Sequence, residues 1–199
     1  MISTELLLVV LASYLLGSIP FGLVFTKIAG LGDIRGIGSG NIGATNVLRT
    51  GRKDLALATL LLDAGKGAIA VLLTRYYISP EFAAIAGTAA FVGHCYPLYL
   101  RFEGGKGFAT FMGTLFAVAP LLGLAAGGTW LISALLFRMS SLAALITAAL
   151  SPIYLYYISG ASSWPAIAFM TFVIYIRHKD NIARIRKGEE PKFGMKDKD

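Results

Sequence analysis

The chain has 199 residues, of which 56% are hydrophobic and 15% charged, and its mean hydropathy is +0.68. Soluble domains average about 45–50% apolar and about 25% charged residues, so this composition excludes a disordered chain and favours one membrane-embedded domain over residues 1–199. The net charge of +7 is compatible with nucleic acid, anionic lipid or an anionic substrate, and the positions of the basic residues distinguish these partners.

The apolar runs predict membrane-spanning helices, each of which needs about 20 apolar residues. In chain order they are 6–26, 55–78, 82–100, 108–137, 142–158 and 164–176. As one helix, the run 108–137 would be about 45 Å long, against a bilayer core of about 30 Å, and Pro120 provides a break. The sequence therefore predicts an all-α polytopic membrane bundle of seven transmembrane helices.

The basic residues orient this bundle. With seven spans, all 18 lysines and arginines except Lys66 and Arg75 fall on one side. Because loops rich in lysine and arginine stay in the cytoplasm, the N-terminus is expected outside and the C-terminus, with Lys196 and Lys198, inside. The connections at 79–80, 120 and 159–163 are expected to be plain turns on the outer side.

A glycine-rich polar segment, residues 36–51, follows the first span. Glycines allow positive φ and close approach of a ligand, and successive amides can bind an anion. Hydroxyl, amide and guanidinium groups add further donors. The segment is either a flexible loop on the lipid headgroups or a folded phosphate-binding loop, and it lacks the Gly-Lys-Ser/Thr ending of a Walker loop. Its candidate residues are Ser39, Gly40, Asn41, Thr45, Asn46 and Arg49.

A second polar segment, residues 93–107, follows the third span. It places Lys106 among Gly104, Gly105 and Gly107 immediately before the fourth span, where a helix N-terminus favours an anion. The alternative is that Lys106 extends to the lipid headgroups. His94 is compatible with either a hydrogen-bonded structural role or a base.

Two charges lie inside the second predicted span, at Asp63 and Lys66. An intramembrane charge costs about 2.5–3.5 kcal/mol on insertion scales and usually faces the protein interior. At a spacing of three residues the two side chains are helical neighbours, so they form either a structural ion pair or a substrate-facing pair.

A third polar segment, residues 177–188, follows the last span. If it is helical, one face is shared by His178, Asn181 and either Arg184 or Ile185. A basic juxtamembrane segment attracted to anionic lipid accounts for Lys187, Lys192 and Lys196, but it explains His178 and Asn181 poorly.

Together these segments closely resemble the three cytoplasmic motifs of the bacterial acyl-phosphate:glycerol-3-phosphate acyltransferases (PlsY). The matching stretches are 38–46 with Arg49, 93–107, and 177–182 with Arg184, and residues 63–67 also resemble the family's second span. The resemblance covers essentially the whole chain.

The resemblance implies transfer of an acyl group from acyl phosphate to the sn-1 hydroxyl of glycerol 3-phosphate, giving lysophosphatidic acid and phosphate at the cytoplasmic face of the bacterial inner membrane. It implies catalytic roles for Ser39, Lys106, His178 and Asn181. The expected substrate-binding residues are Gly40, Asn41, Thr45, Asn46, Arg49, Lys66, Gly104, Gly105 and Gly107. No metal, cofactor or nucleic acid is expected, and the expected assembly is a monomer in the lipid bilayer. Glu103 is similar to the family's structurally important glutamate.

The residues are compatible with this chemistry. Two phosphates with charges near −2 repel one another, and Arg49, Lys106 and backbone amides would reduce that repulsion. Acyl phosphate is already activated, so no covalent nucleophile is needed. The acid-oriented histidine of the His-x₄-Asp acyltransferases is missing, because Tyr99 and Ala183 occupy the acid positions. The base is therefore either His178 or a substrate phosphate.

Three other classes fit less well. A transporter or channel for an organic phosphate would have midplane polar groups and an inverted repeat, and its best support is the pair Asp63 and Lys66. A metal-dependent phosphatidyl transferase needs clustered aspartates, and the aspartates at 33, 54, 63 and 180 are too scattered. Separately, the single cysteine, Cys95, excludes a cysteine-based zinc cluster. A purely structural membrane protein leaves the glycine segments without a purpose.

Overall fold

The computed structural model describes residues 3–159 and 162–193, and within these ranges the regular secondary structure is helical. Lys196 and Lys198 lie outside the described residues, as do residues 160 and 161 of the turn expected at 159–163. The chain divides into two compact units, Met1–Val118 and Ala119–Asp199.

The first unit contains six α-helices. They are α1 (Thr4–Gly17), α2 (Phe21–Ile28), α3 (Ala44–Leu48), α4 (Lys53–Tyr77), α5 (Ala83–Cys95) and α6 (Phe108–Val118). Short 3₁₀ turns occupy Ile34–Gly36, Pro80–Phe82 and Leu98–Leu100. α4 is the centre of the unit, because it packs against each of the other five α-helices.

The first apolar run, expected as a span over 6–26, has the length and composition of a membrane span over Thr4–Ile28, but its helix is interrupted. α1 ends at Gly17 and α2 begins at Phe21. The break precedes and includes Pro20, which has no N–H to donate and disfavours helical backbone at Ile19. The break leaves backbone carbonyls that need other donors.

Small residues let the helices of the first unit approach closely. A Cβ added to Gly17 of α1 would overlap the Ala90 carbonyl of α5, and one added to Gly113 of α6 would overlap the Ala64 carbonyl of α4. Close backbone approach at small residues is the usual way that membrane helices pack. The opposite face of α1 exposes leucines at 7, 8, 11 and 15, as expected for a lipid-facing surface.

The second unit contains α7 (Pro120–Phe137), α8 (Ser140–Ser159), α9 (Trp164–Arg177) and α10 (Lys179–Lys187). α8 packs against the other three helices. The chain after α10 folds back onto the start of α8, because Phe193 N–H donates to the Arg138 carbonyl and Arg138 Nη2 donates to the Phe193 carbonyl, both at 2.7 Å.

The predicted break in the run 108–137 is confirmed. α6 ends at Val118, Ala119 is extended, and Pro120 begins α7 at a position where its missing N–H costs nothing. Among the described residues, five helical segments have the length and composition of membrane spans: Thr4–Ile28, Lys53–Tyr77, Pro80–Leu100, Pro120–Phe137 and Ser140–Ser159. The first joins α1 and α2, and the third joins α5 to the 3₁₀ turns on either side of it, whereas α6 and α9 are shorter apolar helices. The count of seven spans and the orientation of the termini stay predictions.

Candidate functional site

The first polar segment, residues 36–51, is folded, with Asn46 at its centre. Asn46 is 1% exposed. Its Nδ2 donates to the Ile34 carbonyl at 2.8 Å, and its Oδ1 accepts the Ser39 N–H at 3.3 Å. Gly38 and Gly40 have φ of +53° and +67°, a region that L side chains rarely adopt. The amide of Asn46, a residue expected to bind substrate, therefore makes bonds within the protein.

Arg49 lies over the backbone of Gly38. A Cβ added to Gly38 would overlap Arg49 Nη1 and lie 2.6 Å from its Cδ. Ser39, the next residue, is exposed, as are Gly40, Thr45 and Arg49, and Asn41 is half-buried. The segment thus brings the guanidinium of Arg49 beside the residue that precedes Ser39.

The second polar segment, residues 93–107, turns back on the end of α5. Gly104 N–H donates to the Cys95 carbonyl at 3.2 Å, and Gly105 N–H donates to the His94 carbonyl at 3.0 Å. Gly107 has φ of +80°, and a Cβ there would overlap the Phe91 ring. These contacts hold the glycines on both sides of Lys106 against α5.

Lys66 lies in the interior of the first unit and is 2% exposed. Its Nζ lies 2.9 Å from Asp63 Oδ1, donates to the Ile19 carbonyl at 3.0 Å, and lies 5.7 Å from the centre of the Phe21 ring. These contacts favour the structural ion pair over the substrate-facing alternative, because the ammonium is engaged by a carboxylate, a carbonyl and an aromatic face of the protein itself.

The third polar segment lies in the second unit and is helical from Lys179 to Lys187, which meets the condition under which its polar residues were expected to share one face. His178 joins α9 to α10 and is 3% exposed, and its Nδ1 lies 2.8 Å from the Ile174 carbonyl. A carbonyl only accepts, so Nδ1 carries the proton, and Nε2 is the acceptor nitrogen of the neutral ring. Asn181 is 4% exposed.

Glu190 accepts hydrogen bonds from two residues of α10 and one of α8, and it was not identified as a site residue from the sequence. Its carboxylate accepts Ser141 Oγ at 2.5 Å, Asn181 Nδ2 at 2.6 Å and Arg184 Nε at 2.8 Å. Burial alone would raise the pKa of Glu190, but these three bonds and the charge of Arg184 outweigh burial, and the pKa lies below its ordinary value. Glu103, which was expected to correspond to the family's structurally important glutamate, is exposed.

The described residues contain no group of three or more His, Cys, Asp or Glu side chains placed to hold a metal ion. The candidate residues are instead hydroxyls, amides, bases and glycine backbone, a set suited to binding anions. With the long apolar helices, this set defines a multi-pass helical membrane protein with polar segments suited to phosphate.

Comparison with known proteins identifies the family. The family model described as glycerol-3-phosphate acyltransferase matches residues 7–188. The chain is 58% identical to the glycerol-3-phosphate acyltransferase of Paramagnetospirillum magneticum, over 98% of this chain and 96% of that one. It is 56% identical to that of Dinoroseobacter shibae, over 96% and 94%. The chain belongs to the glycerol-3-phosphate acyltransferase family, and the protein is an acyltransferase of phospholipid synthesis.

Two crystal structures of PlsY, an integral membrane glycerol 3-phosphate acyltransferase, are similar to this chain. The glycerol 3-phosphate form has a TM-score of 0.89 at 36% identity and covers 95% of this chain and 96% of that one. The lysophosphatidic acid form has a TM-score of 0.87 at 35% identity and covers 95% of each chain. The expected PlsY family is therefore confirmed.

Proposed function

We propose that the enzyme transfers an acyl group from acyl phosphate to the sn-1 hydroxyl of glycerol 3-phosphate, giving lysophosphatidic acid and phosphate. The observation that carries the proposal is the set formed by the Arg49 guanidinium, which lies over the positive-φ backbone of Gly38, and by Ser39, the exposed residue that follows Gly38 in the chain. Such a set binds phosphate without a metal.

In the proposed reaction the sn-1 oxygen attacks the acyl carbon and the bond from that carbon to the phosphate oxygen breaks. The hydroxyl proton goes to His178 Nε2 or to a substrate phosphate, and inorganic phosphate leaves. His178 is suited to the role because the Ile174 carbonyl fixes its tautomer. Asn181, held by Glu190 through Nδ2, presents its Oδ1 at a fixed position and orients a reacting group.

The remaining polar residues bind and neutralise the substrates. Lys106, held between glycines, and Ser39 stabilise charge on the phosphates as the acyl phosphate bond breaks. The proposed substrate-binding residues are Gly40, Asn41, Thr45, Arg49, Gly104, Gly105 and Gly107, and Asn46 supports them through its bonds to Ser39 and Ile34. Acyl phosphate is an activated donor, so the scheme needs no covalent intermediate on the enzyme.

The donor is tested with purified protein given glycerol 3-phosphate and either acyl phosphate or acyl-CoA. Release of phosphate with formation of 1-acyl product from acyl phosphate alone supports the proposal, and a requirement for the thioester overturns it. Arg49→Ala and Lys106→Ala are expected to lose most activity. Their controls are Arg52→Ala, an arginine in an exposed pair with Asp54, and Lys53→Ala, an exposed lysine at the start of α4.

We also propose that residues 1–199 form one acyltransferase domain with seven spans, acting as a monomer in the bacterial inner membrane with its polar segments toward the cytoplasm. Support comes from the family match over 7–188, which includes residues of both units, and from the charge pattern. Single cysteines placed at Arg52 and Tyr77 in a Cys95→Ala background are expected to react with impermeant reagents from opposite sides. Reaction from the same side would contradict the topology.

A further inference from the structure

Three ionisable side chains meet inside the first unit. Asp63 and Lys66 of α4 and His94 of α5 are 2%, 2% and 4% exposed. Asp63 Oδ1 lies 2.9 Å from Lys66 Nζ and 3.6 Å from His94 Nδ1. Ionisable groups inside membrane-spanning helices are costly and are usually retained for a function, and the reaction proposed above uses none of these three.

One end of the cluster is fixed by the break between α1 and α2. Lys66 donates to the Ile19 carbonyl, which lies within that break. The ammonium therefore joins α4 to the interrupted helix and is the counter-charge of Asp63. A carboxylate held in this way is a rigid, charged partner for a ring nitrogen on the neighbouring helix.

The other end of the cluster is the second polar segment. A Cβ added to Gly105 would overlap His94 Nε2 and lie 3.0 Å from both Cδ2 and Cε1, so the edge of the imidazole lies directly against the Gly105 backbone. The carbonyl of the same histidine accepts the Gly105 N–H. Asp63 lies on the Nδ1 side of the ring, so the imidazole stands between the carboxylate and Gly105, the residue before Lys106.

We propose that Asp63 and His94 are positioning residues for the segment 104–107, and that Lys66 serves them and does not bind substrate. The proposal rests on the proposed function in one respect, that residues 104–107 bind a substrate phosphate. The carboxylate sets the imidazole, and the imidazole sets the glycine backbone and Lys106 for the phosphate. Asp63 and His94 act through that backbone and do not touch the reacting atoms.

Two substitutions separate the two ends of the ring. His94→Asn keeps a donor near the position of Nδ1 and removes the edge against Gly105, whereas His94→Gln keeps a polar group near Nε2 and removes the group facing Asp63. Both are expected to raise KM for one of the two phosphate substrates at least tenfold, with kcat within threefold of the wild type. The control is Thr114→Val, which removes a buried bond to the Thr110 carbonyl on α6 and is expected to leave both KM values within twofold.

A double-variant cycle tests the contact itself. Gly105→Ala is expected to raise the same KM, because its methyl group needs the space of the ring. In the His94→Asn background that space is open, so Gly105→Ala is expected to add less than a further twofold. Additive effects, or unchanged KM in either histidine variant, would overturn the proposal.

Asp63→Asn alone leaves Lys66 buried without its counter-charge, so it is combined with Lys66→Met to keep the protein folded. The pair is expected to reproduce the KM increase of His94→Gln with an unfolding temperature close to the wild type. Equal loss of kcat and of affinity for both substrates would assign the cluster to stability alone. KM for glycerol 3-phosphate is measured with whichever acyl donor the wild type accepts, so failure of the donor assignment remains distinguishable from failure of this proposal.

Discussion

Replacing Gly38 by alanine tests whether the first polar segment binds phosphate through Arg49. The added Cβ would overlap Nη1 of Arg49 and lie 2.6 Å from its Cδ, so the guanidinium has to move. The displaced group is the far end of a flexible side chain, and the steric cost to the fold is therefore small. Gly36 is the matched control, because its Cβ would meet nothing within 4 Å and its φ is not positive.

The expected effect separates into a stability part and a function part. An L residue at the φ of Gly38 costs about 1–2 kcal/mol of stability. A hydrogen bond from a charged group contributes about 1.5–3 kcal/mol, so displacing Arg49 from a phosphate lowers kcat/KM roughly 10- to 150-fold. Gly36→Ala should stay within about twofold of the wild type, since surface changes without such features cost little.

The assay is initial-rate kinetics in detergent or lipid, with thermal unfolding as the check on folding. Gly38→Ala combined with Arg49→Ala should be no worse than Arg49→Ala alone, because both act on the same guanidinium. A folded Gly38→Ala enzyme with the kcat/KM of Gly36→Ala would refute the reasoning. So would a double variant in which the two losses multiply.

Further predictions concern the packing that holds the polar segments. Glu190→Gln should lower stability by about 2–4 kcal/mol because it places an amide opposite three donors, whereas Glu189→Gln, at an exposed neighbour, should change nothing in thermal unfolding. The folded-state pKa of Glu190 lies below its unfolded value, so its charge stabilises the fold fully above about pH 5, and this stabilisation is lost as pH falls through the folded pKa. The unfolding temperature should therefore fall more steeply with decreasing pH in the wild type than in Glu190→Gln. Parallel curves of unfolding temperature against pH would contradict this. Gly113→Ala, whose methyl group meets the Ala64 carbonyl, should lower the free energy of unfolding by about 1–3 kcal/mol. Gly65→Ala, whose methyl group meets nothing within 4 Å, should raise it by up to about 1 kcal/mol. Equal stabilities of the two variants would show that the α4 and α6 backbones are not in contact.

Hydropathy and proline position predicted most of the fold. The runs 55–78, 142–158 and 164–176 correspond within a few residues to α4, α8 and α9, and the break before Pro120 was expected. The break at Ser18–Pro20 was not, although Pro20 is as visible in the sequence as Pro120. Length drew attention to Pro120, because the run 108–137 exceeds a bilayer, whereas 6–26 has the length of one ordinary span.

Motif residues could be predicted because glycines, bases and amides stand close together in the sequence, but their partners could not. Glu190 and Glu189 are adjacent glutamates after Gly188, and only the left-handed turn at Gly188, with φ of +74°, directs one of them to Asn181. Similarly, the spacing of Asp63 and Lys66 shows that they are neighbours on a helix, but it does not reveal the Ile19 carbonyl, which belongs to another element.

Gly38 and Gly105, one in each polar segment of the first unit, serve a purpose that differs from that of the glycines at the helix crossings. Gly17 and Gly113 leave room for the backbone of a neighbouring helix, so a methyl group there has no flexible neighbour to displace. Gly38 and Gly105 instead leave room for a charged or titratable side chain, Arg49 and His94 respectively. Alanine at the first kind of glycine should therefore reduce stability, and no truncation of a side chain should restore it. At the second kind it should reduce substrate affinity by moving the side chain, and shortening that side chain should abolish the additional effect of the methyl group.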